Sequence, residues 1–181
     1  ANLEAPLVSG ATLMVDLVRG DLSASALGTC TYAEGTEAGA KVYGFGHPFN
    51  ELGETLLPMS VGYVYTVVSS SEMSFKLGSS IRDVGAIVQD RNSGIVGVLG
   101  QKAPMVPFDV TFHNAVTKRE ERFRFEITAN RIFLQPMMLM TLREAFTKAE
   151  TTLGQNTKRY RMRCYCVGNA AIFGREKGFV R

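Results

Sequence analysis

The chain has 181 residues, 45% apolar and 20% charged, with a net charge of +3. That length suffices for one domain burying roughly 70% of the surface its unfolded form exposes, and the composition excludes a disordered or fibrous chain. No apolar stretch reaches the ~18 residues of a membrane helix, because "MMLMTLREAF" meets a charged pair after six residues, so no transmembrane segment is predicted.

Alternation of apolar and polar residues dominates the first half. The runs "TLMVDLV" (12–18), "SALGTCTY" (25–32) and "AKVYGFG" (40–46) are separated by the turn formers around Gly20-Asp21 and "AEGTEAG", and predict a meander of three strands. In the first, Leu13, Val15 and Leu17 should face one side and Asp16 the other. "GYVYTVV" (62–68) predicts a fourth strand, the serine-rich "SSSEMS" a connection, and "DVGAIVQ" (83–89) a fifth strand. The glycines of "RNSGIVGVLG", at 94, 97 and 100, suit tight bends or close backbone approach at a sheet corner. They lack the order of a phosphate-binding glycine motif.

"VPFDVTFHN" (106–114) and "REERFRFEIT" (119–128) predict a hairpin, with Phe123, Phe125 and Ile127 on a dry face and Arg122, Arg124 and Glu126 on a wet one. His113 falls at the end of the first arm and reads as a rim histidine. After Pro136, a helix over about 137–153 is predicted by Met138, Leu142, Ala145, Phe146, Ala149 and Leu153 at three- and four-residue steps, and it should pack on the sheet. Met137, Met138 and Met140 are core filler first and an interaction surface second. A last strand, about 158–167 in "KRYRMRCYCV", places Tyr160, Met162, Cys164 and Cys166 on one face and Arg159, Arg161 and Arg163 on the other. The whole, residues 1–181, reads as a single, mainly β domain: an antiparallel sheet or barrel with one long helix near its C-terminal end.

Cys30, Cys164 and Cys166 are an odd number of thiols, and the C-x-C pair is too close for an ordinary bridge. With His47 and His113 they show no standard zinc spacing, so buried thiols are the reading, with no metal and no cofactor. Residues 151–181 carry seven basic side chains against Glu176 alone. Such a patch could meet an acidic partner or an anionic lipid face, but reads first as one solvated strand face, and no nucleic-acid partner is expected. No basic segment followed by an apolar one opens the chain, which reads as a processed chain or a piece of a longer one.

The decapeptide "VYGFGHPFNE" (42–51) holds the candidate chemistry. Gly44, Gly46 and Pro48 around His47 make a rigid turn at a strand end, where an imidazole can be held with an exposed edge. Taken alone, a strand-end histidine is more often structural than catalytic. The segments "LVRGDLSASALGTCTY", "KVYGFGHPFNELGETLLPMS" and "SSSEMSFKLGSSIRDVGAIVQDRNSGIVGVLGQKAPMVP" resemble, in order and spacing, the sporulation stage IV B serine peptidase family, including its large bacterial relatives. The resemblance covers about residues 10–130 and is most specific in "GFGHP", "FKLGS" and "QDRNSGIVGVLG".

The resemblance implies a chymotrypsin-like β fold, a secreted bacterial protein acting outside the cytoplasm, and a serine endopeptidase. His47 would be the general base, taking a serine proton and returning it to the leaving amine. Asp90, or Asp83, would orient the ring if the fold brings either near. The family's nucleophile motif, G-M-S-G-S-P, occurs nowhere in the chain, nor does G-x-S-x-G. Ser60, Ser69, Ser70, Ser71 and Ser93 lack a glycine-flanked elbow. The expectation is therefore the histidine-bearing part of a peptidase, inactive alone, with a protein or peptide substrate and a complementary segment carrying the serine. The alternative is a non-catalytic binding or structural module of the cell envelope, or of a larger assembly, built on the same scaffold.

Overall fold

A computed structural model of the protein describes residues 6–113 and 118–149. In chain order the elements are β1 (Thr12–Gly20), β2 (Ala24–Ala33), β3 (Lys41–Gly44), β4 (Gly53–Val68), β5 (Phe75–Arg91), β6 (Gly94–Leu99), β7 (Met105–His113), β8 (Glu120–Thr128) and α1 (Leu134–Ala149). The expected end of the helix at 153, the basic strand at 158–167 and Cys164 and Cys166 lie outside the described residues.

The fold is mainly β: one sheet of eight antiparallel strands, in the order β2-β3-β6-β5-β4-β1-β8-β7, with one helix at the C-terminal end of the described chain. β2 also pairs with β1, so the ladders β1–β2, β2–β3, β3–β6, β6–β5, β5–β4 and β4–β1 form a circuit. The other edge of β1 is shared. Leu13–Val15 pairs with β4, and Val18–Gly20 pairs with β8.

The predicted meander of the first three strands is present, and so is the β7–β8 hairpin. The fourth and fifth strands are far longer than expected, at sixteen and seventeen residues, and form one long hairpin. Four register shifts bend it, between Glu54 and Leu57, Met59 and Ser60, Val61 and Gly62, and Val64 and Thr66. Its first half belongs to the circuit. At the start of its second half, Gly62, Gly78 and Ser80 lie against the opposite face of β1 and β2.

Glycines permit that approach. A side chain at Gly62 would meet Met14 Cγ at 2.5 Å, and one at Gly78 would meet Leu27 Cδ1 at 2.8 Å. The expected split of β1 between Leu13 and Val15 on one face and Asp16 on the other is present, with both faces covered. Leu13 and Val15 do face a core with Cys30, Val42, Leu57, Met59, Ile87 and Ile95, but Met14 and Asp16 on the other face are buried too, beneath the hairpin. Each fully buried Leu, Ile, Met or Val there contributes about 1.5–3 kcal/mol.

A second core joins Val18, Phe125 and Ile127 to Leu134 and Ala145 of α1, with Met137, Met138 and Met140 packed at its margin. Phe112 of β7 meets Phe146 of α1 at 4.5 Å between ring centroids. The helix therefore packs on the sheet as its period predicted. Pro136 sits in its first turn, where its missing N–H breaks no helical bond.

Candidate functional site

His47 follows β3 in a turn held from both sides. The Gly46 N–H donates to the Gly44 carbonyl at 2.9 Å, closing a three-residue turn in which Phe45 has a φ of 72°. This positive-φ γ-turn is strained for a residue with a side chain, at about 1–3 kcal/mol. Two contacts hold it. The Phe45 N–H donates to the Thr29 carbonyl at 3.0 Å, and the Phe45 ring fills the space that Gly28 leaves empty.

The imidazole is exposed, tilted against the Phe45 ring at 5.7 Å. Its Nδ1 lies 2.8 Å from the Pro48 carbonyl oxygen. A carbonyl only accepts, so the bond requires the proton on Nδ1 and leaves the Nε2 lone pair free in the neutral ring.

Asp90 is buried and serves the loop rather than the ring. Its carboxylate accepts the backbone N–H of Phe49 at 2.7 Å, of Asn50 at 2.7 Å and of Leu52 at 3.0 Å. Neither oxygen is shown bonding to His47. Asp83 is elsewhere, with Arg19 Nη1 at 3.2 Å. Sequence reasoning offered Asp90 or Asp83 as the ring's orienting acid and missed that the backbone carbonyl of the next residue holds the ring. A row of rings, Phe45, Phe49 and Phe133, anchors the loop to the segment entering α1.

The candidate serines divide. Ser60 is buried and donates to Asp16 Oδ2 at 2.6 Å, which removes it from reach of any substrate. Ser69, Ser70 and Ser71 sit at the exposed tip of the long hairpin, where Ser70 Oγ accepts the amides of Glu72 and Met73. Ser93 is exposed in the two-residue turn between β5 and β6. It lines an open hollow of about 300 Å³ whose wall also includes Gly46, Gly94 and Arg91; His47 itself does not line it. Gly94, with a φ of 144°, presses its backbone against the histidine turn: a side chain there would meet the Gly44 carbonyl oxygen at 2.7 Å.

A second polar cluster escaped sequence reasoning. Asp16 accepts from Ser25 Oγ at 2.7 Å, from Ser60, from Ser80, and from Arg19 through Nε at 3.0 Å and Nη2 at 2.7 Å. Burial by itself pushes this carboxyl up, but the hydrogen bonds from Ser60, Ser80, Ser25 and Arg19 outweigh it and hold Asp16 below the ordinary aspartate range. The network ties β1 and β2 to both strands of the long hairpin, and its three serines spend their hydroxyl protons on the Asp16 carboxylate.

The remaining candidates are structural. His113 is a rim histidine, its Nδ1 3.2 Å from Glu120 Oε2 across the ladder. Cys30 is a buried free thiol whose burial pushes its pKa up. Among the described residues no three His, Cys, Asp or Glu side chains gather where they could hold a metal, and no helix is long and apolar enough to cross a membrane. No protein-family model, curated protein or solved structure matches the chain.

Proposed function

We propose that the chain is the histidine-bearing part of a secreted serine endopeptidase related to the sporulation stage IV B peptidases, with the nucleophile supplied by a segment outside it. The carrying observation is the Nδ1 contact to the Pro48 carbonyl, which leaves an exposed Nε2 with its lone pair available. In this reading Nε2 takes the serine proton as the hydroxyl attacks a peptide carbonyl, then delivers it to the leaving amine. The Pro48 carbonyl fixes the tautomer, the part usually given to an acid, and Asp90 fixes the loop that presents the ring. The circuit of six antiparallel ladders supports a chymotrypsin-like half-barrel as the scaffold, the histidine turn standing at one strand end.

The test is labelling of the full-length protein, including any segment with the missing motif, by a fluorophosphonate probe. Labelling that disappears in His47→Ala and in the serine variant supports the reading; labelling indifferent to His47 removes it.

A second reading, a non-catalytic docking module, is favoured by one observation. The long hairpin turns Tyr63, Tyr65, Val68, Phe75 and Leu77 outward, all exposed. Ladder register sets them on a single face, with Gly62 and Gly78 on the other. Complete absence of fluorophosphonate labelling in the full-length protein would leave this reading standing.

A further inference from the structure

The hollow beside the histidine turn has a chemistry of its own. It lies on the outer face of the circuit, where the ladder register aligns Tyr43, Val96 and Gln89 in one cross-strand row and Gly94 opposite Arg91 in the next. Gly46 and Gly94 put no side chain into it, and Val96, half-buried, gives it an apolar floor. Thr31, Gln89 and Ser93 add neutral polar groups. Arg91 is the single charged side chain of the lining.

Arg91 also has no assigned task in the fold. Among the described residues its guanidinium has no hydrogen-bond or ion-pair partner, whereas Arg19 and Arg122 are each paired with aspartates. One of its terminal nitrogens stands 3.7 Å from where a Gly53 side chain would begin, at the far end of the loop that starts with His47. The unpaired cation and the imidazole thus bracket one loop.

We propose that this hollow receives an acidic side chain, Asp or Glu, of an extended peptide, with Arg91 as the recognising group. A single planar guanidinium matches one carboxylate through two parallel hydrogen bonds, whereas a phosphate dianion asks for more cations or amides than the lining offers. The volume, at the lower end for ligand sites, suits one side chain with a little adjoining backbone. The apolar floor accepts the methylene groups of glutamate, and Gln89 or Ser93 can donate to the carboxylate edge that Arg91 leaves open. The choice of a peptide rests on the peptidase reading above; the acid preference rests on Arg91 and the lining alone.

Binding of fluorescein-labelled decapeptides with random flanks and a central Glu or Gln, followed by anisotropy on the whole chain, tests this. The Glu pool should bind about tenfold more tightly than the Gln pool. Arg91→Gln should erase the preference, while Lys102→Gln, a charge change outside the hollow, should keep it. Equal binding of the two pools, a preference surviving in Arg91→Gln, or no binding of either pool overturns the proposal. Cleavage of the same pools by the full-length protein separates the two claims: hydrolysis indifferent to the acid sinks this inference and spares the peptidase reading. Acid-selective binding without hydrolysis or fluorophosphonate labelling does the reverse.

Discussion

The carboxylate of Asp90 accepts the Phe49 amide proton at 2.7 Å, and two further amides of the same loop converge on it. The acid nearest the candidate base in sequence logic is therefore committed to backbone. Replacing Asp90 with Asn turns one acceptor oxygen into a donor facing an amide. The variant should lose about 1–3 kcal/mol of stability. A lowered denaturant midpoint at unchanged slope is the expected readout; an unaltered midpoint would show the three bonds to be dispensable.

His47 in its neutral form should carry its proton on Nδ1, because the Pro48 carbonyl can only accept. Two-bond nitrogen–proton correlation spectra of the ring, with His113 assigned by substitution, report the tautomer directly. A protonated Nε2 in the neutral ring would remove the geometric basis for general-base action.

Gly94→Ala should disturb the histidine turn. Its φ of 144° is unfavourable to a side chain, and the new methyl would begin 2.7 Å from the Gly44 carbonyl oxygen. A loss of about 1–3 kcal/mol is expected, with chemical-shift changes centred on Phe45 to Pro48. Changes confined to the Asn92-Ser93 turn would contradict this coupling.

Acid should loosen the long hairpin through Asp16. The folded carboxyl titrates below its unfolded value, so its contribution is complete above the ordinary aspartate range and is lost as pH falls through the folded pKa. Stability of the wild type should therefore drop on acidification in a region where Asp16→Asn is flatter. At neutral pH the variant should already be weaker by about 2–4 kcal/mol, since Arg19 and the three hydroxyls meet one neutral acceptor oxygen in place of two charged ones. Parallel pH profiles for the two proteins would refute the assignment.

The outward face of that hairpin should matter little to folding. Tyr65→Ser with Phe75→Ser is expected to move stability by no more than about 0.5 kcal/mol, while lowering the binding of an apolar fluorescent dye. A large loss would mean that the rings are covered in the folded protein.

Much of this architecture was legible from residue pattern, and its failures have physical causes. Strands β1 to β3 and the β7–β8 hairpin alternate cleanly between turn formers, and the helix repeats at its own period. The start of β4 was hidden by Pro58, which argues against a strand with two neighbours. It is tolerated because β1 pairs β4 only at Met59–Val61, leaving that edge free at Pro58. The first half of β5, "FKLGSS", looks like a loop because its small residues serve a close approach to β2 that no local window contains. The burial of Asp16's face of β1 was hidden for the same reason: the layer covering it comes from far along the chain. The histidine turn could be read from its glycines and proline, but its holder is a main-chain carbonyl, which residue types do not announce.

β1 borders β2, β4 and β8, and Val18 lies beside Ile127, more than a hundred residues away along the chain. A ribosome would have released the first strand long before its last neighbour exists. Until then β1 presents half an open edge to whatever else is nearby, so the slow step of assembly should be the arrival of β8, and fragments ending before Thr128 should be the ones that clump.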